Sequence, residues 1–189
     1  MVLAIFEDSK GRMWFGSYGG GLSCFDGKTF TNYNRKNGLS GDNIFCITED
    51  KKGNIWVGVD EGGVCIISNI EKDSATIRTI STKQGLTDNF ITQILQLQDG
   101  RIMLGTNFGV NIFDCPNFSN KEKLKNIQVL NTENGYPIKD VNVGQNCMIQ
   151  DKDGIVWLGT GSDKTAVVRL DLSKLHTNSK KNGSVYPKY

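Results

Sequence analysis

Six residues carry the side chains most used for nucleophilic or metal chemistry: Cys24, Cys46, Cys65, Cys115, Cys147 and the single histidine, His176. No two cysteines have Cys-x-x-Cys spacing, and none has a histidine at ligand spacing, so no metal site is expected. Cys24, Cys46, Cys65 and Cys147 lie inside apolar runs, where a thiol serves as a small hydrophobic group. His176 stands in a polar tail with Lys174, Lys180 and Lys181. Ser-His-Asp and Cys-His schemes therefore lack their base. The carboxylate pairs Glu7-Asp8 and Glu49-Asp50 have the composition of acid–base couples. They recur with a hairpin, however, and read as turn caps. Gly19-Gly20-Gly21 is followed by neither Lys-Ser/Thr nor a helix pattern, so it is not a phosphate loop. No catalytic constellation and no cofactor is expected.

The chain that must position these groups has 189 residues, 38% hydrophobic and 22% charged, enough for a core. Its 22 basic and 20 acidic residues leave a net charge of +2, which gives no electrostatic case for nucleic acid. The basic tail reads as a solvated segment. No apolar run reaches the roughly 18–20 residues of a membrane helix, so no membrane contact is expected of this segment. Met1–Phe6 runs directly into Glu7-Asp8, unlike a secretory leader. Glycine is abundant at 22 and proline scarce at 3, the balance of many tight turns between short strands.

Four segments repeat: Gly11-Arg12-Met13-Trp14-Phe15-Gly16, Gly53-Asn54-Ile55-Trp56-Val57-Gly58, Gly100-Arg101-Ile102-Met103-Leu104-Gly105 and Gly154-Ile155-Val156-Trp157-Leu158-Gly159. Their first glycines are 42, 47 and 54 residues apart. Each follows a polar turn, and Gly38-Leu39, Gly85-Leu86 and Gly135-Tyr136 form a second recurring marker. Within the second unit, strands are predicted over 43–49, 54–59, 63–68 and 75–81. The turn glycine takes the positive φ that closes a hairpin. No sustained 3.6-residue apolar period occurs, although 121–125 has the composition of one helical turn. A period of 40–50 residues with four strands per unit predicts an all-β fold of β-propeller blades. The repeats run approximately 2–42, 43–89, 90–142 and 143–189, in one segment spanning 1–189. Residues 182–189 are the candidate last outer strand. Trp14, Trp56 and Trp157 are expected to be buried between blades, with Met103 as the substitute in the third. Cys46 and Cys147 occupy equivalent inner-strand positions in separate blades, and a disulfide needs Cα atoms within about 7 Å, so all five cysteines are expected to be free.

These residues resemble the two-component regulator propeller repeat, whose unit runs approximately I-x-E-D-x-x-G-x-[LI]-W-[IV]-G-T-x-x-G-G. The first unit follows it from Ile5 through Glu7, Asp8, Gly11, Trp14, Gly16, Gly20 and Gly21, and the second nearly as well. The third departs at Leu97 and Met103, and the fourth loses the paired glycines after Gly161. The resemblance covers residues 2–171. It implies a partial propeller of the seven-bladed type, from the periplasmic sensor region of hybrid two-component systems common in gut Bacteroidetes. Such regions recognise oligosaccharides.

In such a fold the loops between second and third strands share one rim with the blade-linking loops. Tyr18, Asp60, Glu61, Asn107, Phe108 and Asp163 are the candidate ligand residues, because sugars need apolar faces beside hydrogen-bonding groups. The same residue types are ordinary turn formers. The expected function is non-catalytic oligosaccharide sensing. The alternatives are a protein-interaction scaffold and, behind it, a streptogramin-lyase- or lactonase-like propeller enzyme. Four blades leave two end faces without neighbours, so self-association or adjoining blades are expected.

Overall fold

A computed structural model describes residues 1–70, 75–116, 123–144, 147–161 and 166–175. Four antiparallel sheets follow one another along the chain. The first contains β1 (Val2–Glu7), β2 (Met13–Ser17), β3 (Gly21–Phe25) and β4 (Phe30–Tyr33). The second contains β5 (Ile44–Glu49), β6 (Ile55–Val59), β7 (Gly63–Ser68) and β8 (Thr76–Ile80). The third contains β9 (Ile91–Gln96), β10 (Ile102–Thr106), β11 (Gly109–Phe113) and β12 (Gln128–Leu130). The fourth contains β13 (Met148–Gln150), β14 (Ile155–Gly159) and β15 (Val167–Asp171). Strand order in each sheet is sequential, and the first strands lie side by side, β1 against β5, β5 against β9 and β9 against β13. This is a partial β-propeller. The candidate strand at 182–189 lies outside the described residues, as does part of the 121–125 segment, whose described residues 123–125 are not helical.

The turn between the first two strands recurs in all four blades with one backbone pattern. The turn glycine donates to the residue three before it: Gly11 to Asp8, Gly53 to Asp50, Gly100 to Leu97 and Gly154 to Asp151. All four glycines have φ between +76° and +90°, a region costly for other residues. In blades 1, 2 and 4 the aspartate has a second task. Its carboxylate accepts from the indole Nε1–H of the repeat tryptophan at 2.8 Å: Trp14 to Asp8, Trp56 to Asp50 and Trp157 to Asp151. Blade 3 replaces both members, and Leu97 and Met103 are fully buried together. A buried indole N–H needs an acceptor, so tryptophan and aspartate leave as a pair.

Each blade packs its back face on the front face of the next. Trp14, Leu22 and Cys24 meet Ile55, Val57 and Cys65. Trp56, Val64 and Ile66 meet Ile102, Leu104 and Phe113. Met103, Val110 and Ile112 meet Val156, Leu158 and Val168. Fully burying one such side chain is worth about 1.5–3 kcal/mol. The glycine two residues after the tryptophan lets the next inner strand approach. A Cβ at Gly16 would lie 2.6 Å from Ile44 Cγ2, and one at Gly58 would lie 3.0 Å from the Ile91 carbonyl oxygen.

A side-chain bolt also crosses each joint. Glu49 accepts from Ser9 N and Ser9 Oγ, each at 2.7 Å. Gln96 Oε1 accepts from Lys51 N at 2.7 Å, and Gln150 Oε1 from Gln98 N at 2.8 Å.

Two features differ from the sequence expectation. Trp157 is not buried: it is 38% exposed, whereas Trp14 and Trp56 are at 0%. It stands on the back face of the fourth blade, where no described sheet follows. The recurring Gly-Leu marker ends a short 3₁₀ turn, at Arg35–Asn37, Thr82–Gln84 and Thr132–Asn134, each closed by a reciprocal capping box. Gly38, Gly85 and Gly135 take the left-handed C-cap, and Leu39 and Leu86 tuck beneath.

Two outcomes follow. Asp50→Leu removes the acceptor of a buried indole and should cost about 1–3 kcal/mol. Adding Trp56→Met, which copies blade 3, should recover part of that loss, with a coupling of about 0.5–3 kcal/mol in a urea-denaturation double-mutant cycle; strict additivity would show that the pair does not act as a unit. The second concerns acid. Burial raises the Asp8 carboxyl, but hydrogen bonds from Trp14, Arg12 and Lys10 outweigh it and hold the pKa below its usual 3.8. The Trp157 indole likewise lowers Asp151. A depressed folded pKa gives stability that is complete above the unfolded value and lost as pH falls through the folded one. The melting temperature should therefore hold from neutrality to about pH 5 and fall below about pH 4, less steeply in Asp8→Asn.

Candidate ligand-binding rim

The loops after β2, β6 and β10 are each tied to the blade linker that follows by a backbone hydrogen bond. Gly21 N donates to Asp42 O, Gly63 N to Asn89 O, and Val141 N to Thr106 O. Asn43 ties two candidate loops together. Its Oδ1 accepts from Gly19 N at 2.7 Å, and its Nδ2 donates to Asp60 Oδ2 at 3.1 Å. The loop carrying Tyr18 and the loop carrying Asp60 and Glu61 thus share one anchor.

Tyr18 is 58% exposed and Phe108 62% exposed, so each offers a ring face to solvent. Asn107 is exposed beside Phe108, whose amide is held by Thr106 Oγ1 at 3.0 Å and whose carbonyl accepts from Asn131 Nδ2 at 3.4 Å. The third blade's loop is bonded to its own blade, and among the described residues no hydrogen bond joins it to Asp60 or Glu61. Asp163 lies outside the described residues. On the neighbouring loop, Asp140 Oδ1 accepts from Gly161 N at 2.6 Å.

Glu61 has a backbone cost of its own. Its φ is +52°, at the position where the first blade has Gly19 with φ +79°. Glutamate is disfavoured there, and strain of this kind is a pointer to use.

Sequence reasoning missed an aromatic pair deeper in the rim. The Phe45 and Phe90 rings lie 5.1 Å apart at 33°. Phe45 occupies a bulge in β5, where the register shifts between Ile44 and Cys46, and a bulge re-aims a side chain. The readable signal was the phenylalanine at 90 in the second linker, where the first linker has Asn43. Away from the rim, a cleft of about 320 Å³ lies along the outer strands of the first two blades, between Asn32, Tyr33 and Asn37 on one side and Ile70, Ala75 and Ile77 on the other. It contains none of the candidate residues.

Among the described residues no three His, Cys, Asp or Glu side chains converge as a metal site. None of the five cysteines is in a disulfide. Burial pushes the Cys46 thiol to about 12 and the Cys24 thiol to about 11, so neither is a thiolate nucleophile at neutral pH.

Residues 1–19, 38–61 and 137–162 match the family described as two component regulator propeller. Three of the four blades thus each contain a segment similar to that repeat. The matched segments run through the first-to-second-strand hairpin of blades 1, 2 and 4. Blade 3, without the aspartate–tryptophan pair, falls outside them. Among solved structures, the propeller repeats are similar to the extracellular domain of a protein assigned as the hybrid two component system BT3049 from B. thetaiotaomicron, at 20% identity and a TM-score of 0.71. That match covers 98% of this chain and 26% of the other. The corresponding extracellular domain of BT4673 from the same organism matches at 20% identity and a TM-score of 0.67, over 92% of this chain and 23% of the other. A virginiamycin B lyase from Staphylococcus aureus matches at 13% identity and a TM-score of 0.58, over 90% and 55%. This chain thus spans about a quarter of the first two. At these identities the likeness is one of fold. No curated protein sequence matches the chain.

The thiols give a test of the site's chemistry. Denatured, unreduced protein should titrate close to five thiols, while the native protein at pH 7.5 should alkylate Cys24 and Cys46 far more slowly than a free cysteine. Rapid native labelling of Cys46 would contradict its burial.

Proposed function

We propose that this chain is a non-catalytic binding segment in the extracytoplasmic sensor region of a two-component regulator, and that its ligand is an oligosaccharide held on the rim. The observation that carries the regulator reading is the repeat-family match in three of the four blades. The comparison structures support an extracytoplasmic setting, since both hybrid-system relatives are extracellular domains. No helix among the described residues is long and apolar enough to cross a membrane.

The oligosaccharide reading rests on the rim's side chains. Tyr18 and Phe108 supply exposed ring faces for sugar C–H groups, and Asp60, Glu61 and Asn107 supply acceptors and donors for hydroxyls. Glu61, in the left-handed region, holds a carboxylate at a turn where glycine would be easier. Asp163 belongs to the same proposed set by its position in the sequence repeat alone.

Glycan-array screening followed by calorimetry tests this. A bound oligosaccharide should lose at least about tenfold in affinity on Tyr18→Ala or Phe108→Ala, in keeping with about 1.4 kcal/mol per decade. Binding of no glycan, or binding indifferent to both substitutions, would overturn the rim assignment. Turnover of a lactone substrate would favour the enzyme alternative.

A further inference from the structure

We propose that Asn37 is a modification site, losing its side-chain amide to attack by the main-chain nitrogen of Gly38, and that the product unlocks the turn between the first two blades. The pair recurs as Asn134-Gly135, and Gln84-Gly85 stands at the same place in the turn between them, so the chain supplies its own comparisons.

In an Asn-Gly pair the nitrogen after the asparagine reaches its Cγ through a five-membered ring, and glycine has no Cβ to obstruct the approach. The nitrogen gives its proton to solvent and bonds to Cγ. The Cγ–Nδ2 bond then breaks, and the nitrogen leaves as ammonia. Water opens the resulting succinimide at either carbonyl, giving aspartate or isoaspartate. Water is the only co-reactant. Gln84 would need a six-membered ring, which closes far more slowly.

Both asparagines are exposed, and in both Oδ1 accepts from the N-cap amide, at 2.6 Å from Asn34 N and 2.8 Å from Asn131 N. A donor so placed stabilises the charge that collects on Oδ1 as the ring closes. Two differences favour Asn37. Gly135 N is engaged with Thr132 O at 3.4 Å, and Gly85 N with Thr82 O at 3.1 Å, whereas among the described residues Gly38 N has no acceptor. The attacking nitrogen at Gly38 therefore has no bond to break first. Charge acts the same way. Arg35 and Lys36 precede Asn37, whereas Glu133 precedes Asn134. Ring closure passes through an anion, which nearby cations stabilise and a carboxylate opposes. Asn37 also lines the cleft between the outer strands of the first two blades, which gives water access to its side chain.

The reaction dismantles the capping box. Asn37 Nδ2 donates to Asn32 O at 2.7 Å, and neither product has that donor. Isoaspartate also adds one carbon to the main chain just before Gly38, and moves the carboxylate away from Asn34 N. Leu39 N donates to Asn34 O at 3.1 Å across this turn, and Arg35 N donates to Asp42 Oδ1 at 2.9 Å. Asp42 O in turn accepts from Gly21 N beside the first rim loop. The modification therefore loosens the linker into β5 and, through it, the loop after β2.

Peptide mapping by mass spectrometry, after prolonged incubation at about pH 8, tests the site. Asn37 should convert at least about tenfold faster than Asn134, with isoaspartate among the products; that ratio corresponds to about 1.4 kcal/mol in barrier height. Lys36→Glu should slow conversion at Asn37 and leave Asn134 unchanged. Asn37→Gln, which copies the intact box of the second turn, should keep the wild-type melting temperature and release no ammonia from this turn. The isoaspartyl fraction, separated by ion exchange, should exchange the Leu39 and Gly21 amides at least about tenfold faster than fresh protein. Conversion at Asn134 as fast as at Asn37, or a rate at Asn37 indifferent to Lys36→Glu, would overturn the site. Unchanged exchange in the isoaspartyl fraction would overturn the unlocking. No ligand enters these readouts, so their outcome stands apart from the rim assignment.

Discussion

The hydrogen bond from an indole N–H to a turn carboxylate governs the architecture. A tryptophan in the middle of a blade is the largest group available to fill the wedge between two twisted sheets, but its N–H cannot be buried without an acceptor. The aspartate that opens the hairpin six residues earlier supplies that acceptor, and it simultaneously receives backbone N–H groups of its own turn, as Asp50 does from Lys52 and Asn54. One side chain thereby couples the local turn to the packing between blades. Blade 3 shows the coupling from the other side. With Met103 in the wedge there is no N–H to satisfy, and an apolar Leu97 can replace the carboxylate while the turn keeps its backbone bonds.

The same hairpin places the rim. Strand β2 or β6 runs outward from the turn past the tryptophan and the close-approach glycine, and reaches the opposite end of the blade at Tyr18 or Asp60. Because the next inner strand is pressed against Gly16 or Gly58, the linker that leads into that strand is fixed beside the loop. Asn43 exploits this by bonding both the preceding blade's loop and its own. The rim's geometry is thus inherited from packing at a distance, not from interactions among the candidate ligand groups themselves.

Much of this was legible in the chain. The hairpin glycines, the alternating apolar strands and the tryptophan spacing located the second blade's strands to within about a residue, because period-2 patterning and turn chemistry are local properties. The exposure of Trp157 was not legible, since burial depends on a neighbour and not on the strand that carries the residue. The capping boxes before Gly38, Gly85 and Gly135 were written in the sequence as Asn34 with Asn37, Ser81 with Gln84, and Asn131 with Asn134. Their three-residue turns are too short to produce a helical period. At the rim, exposure of Tyr18 and Phe108 followed from the loop positions, whereas the bulge that turns Phe45 toward Phe90 and the positive φ of Glu61 arise from register and turn geometry that composition does not encode.

The bolts between blades have an evolutionary consequence. Each has a main-chain N–H donor, so serine, lysine and glutamine all serve at positions 9, 51 and 98, with Ser9 adding its hydroxyl. Only the acceptor side is constrained, and there either a carboxylate or a carboxamide suffices. A gene segment encoding one whole unit can therefore be duplicated, deleted or exchanged by recombination, and the new boundary will still find a donor on one side and an acceptor on the other. Arrays built this way can change length without first inventing a compatible seam.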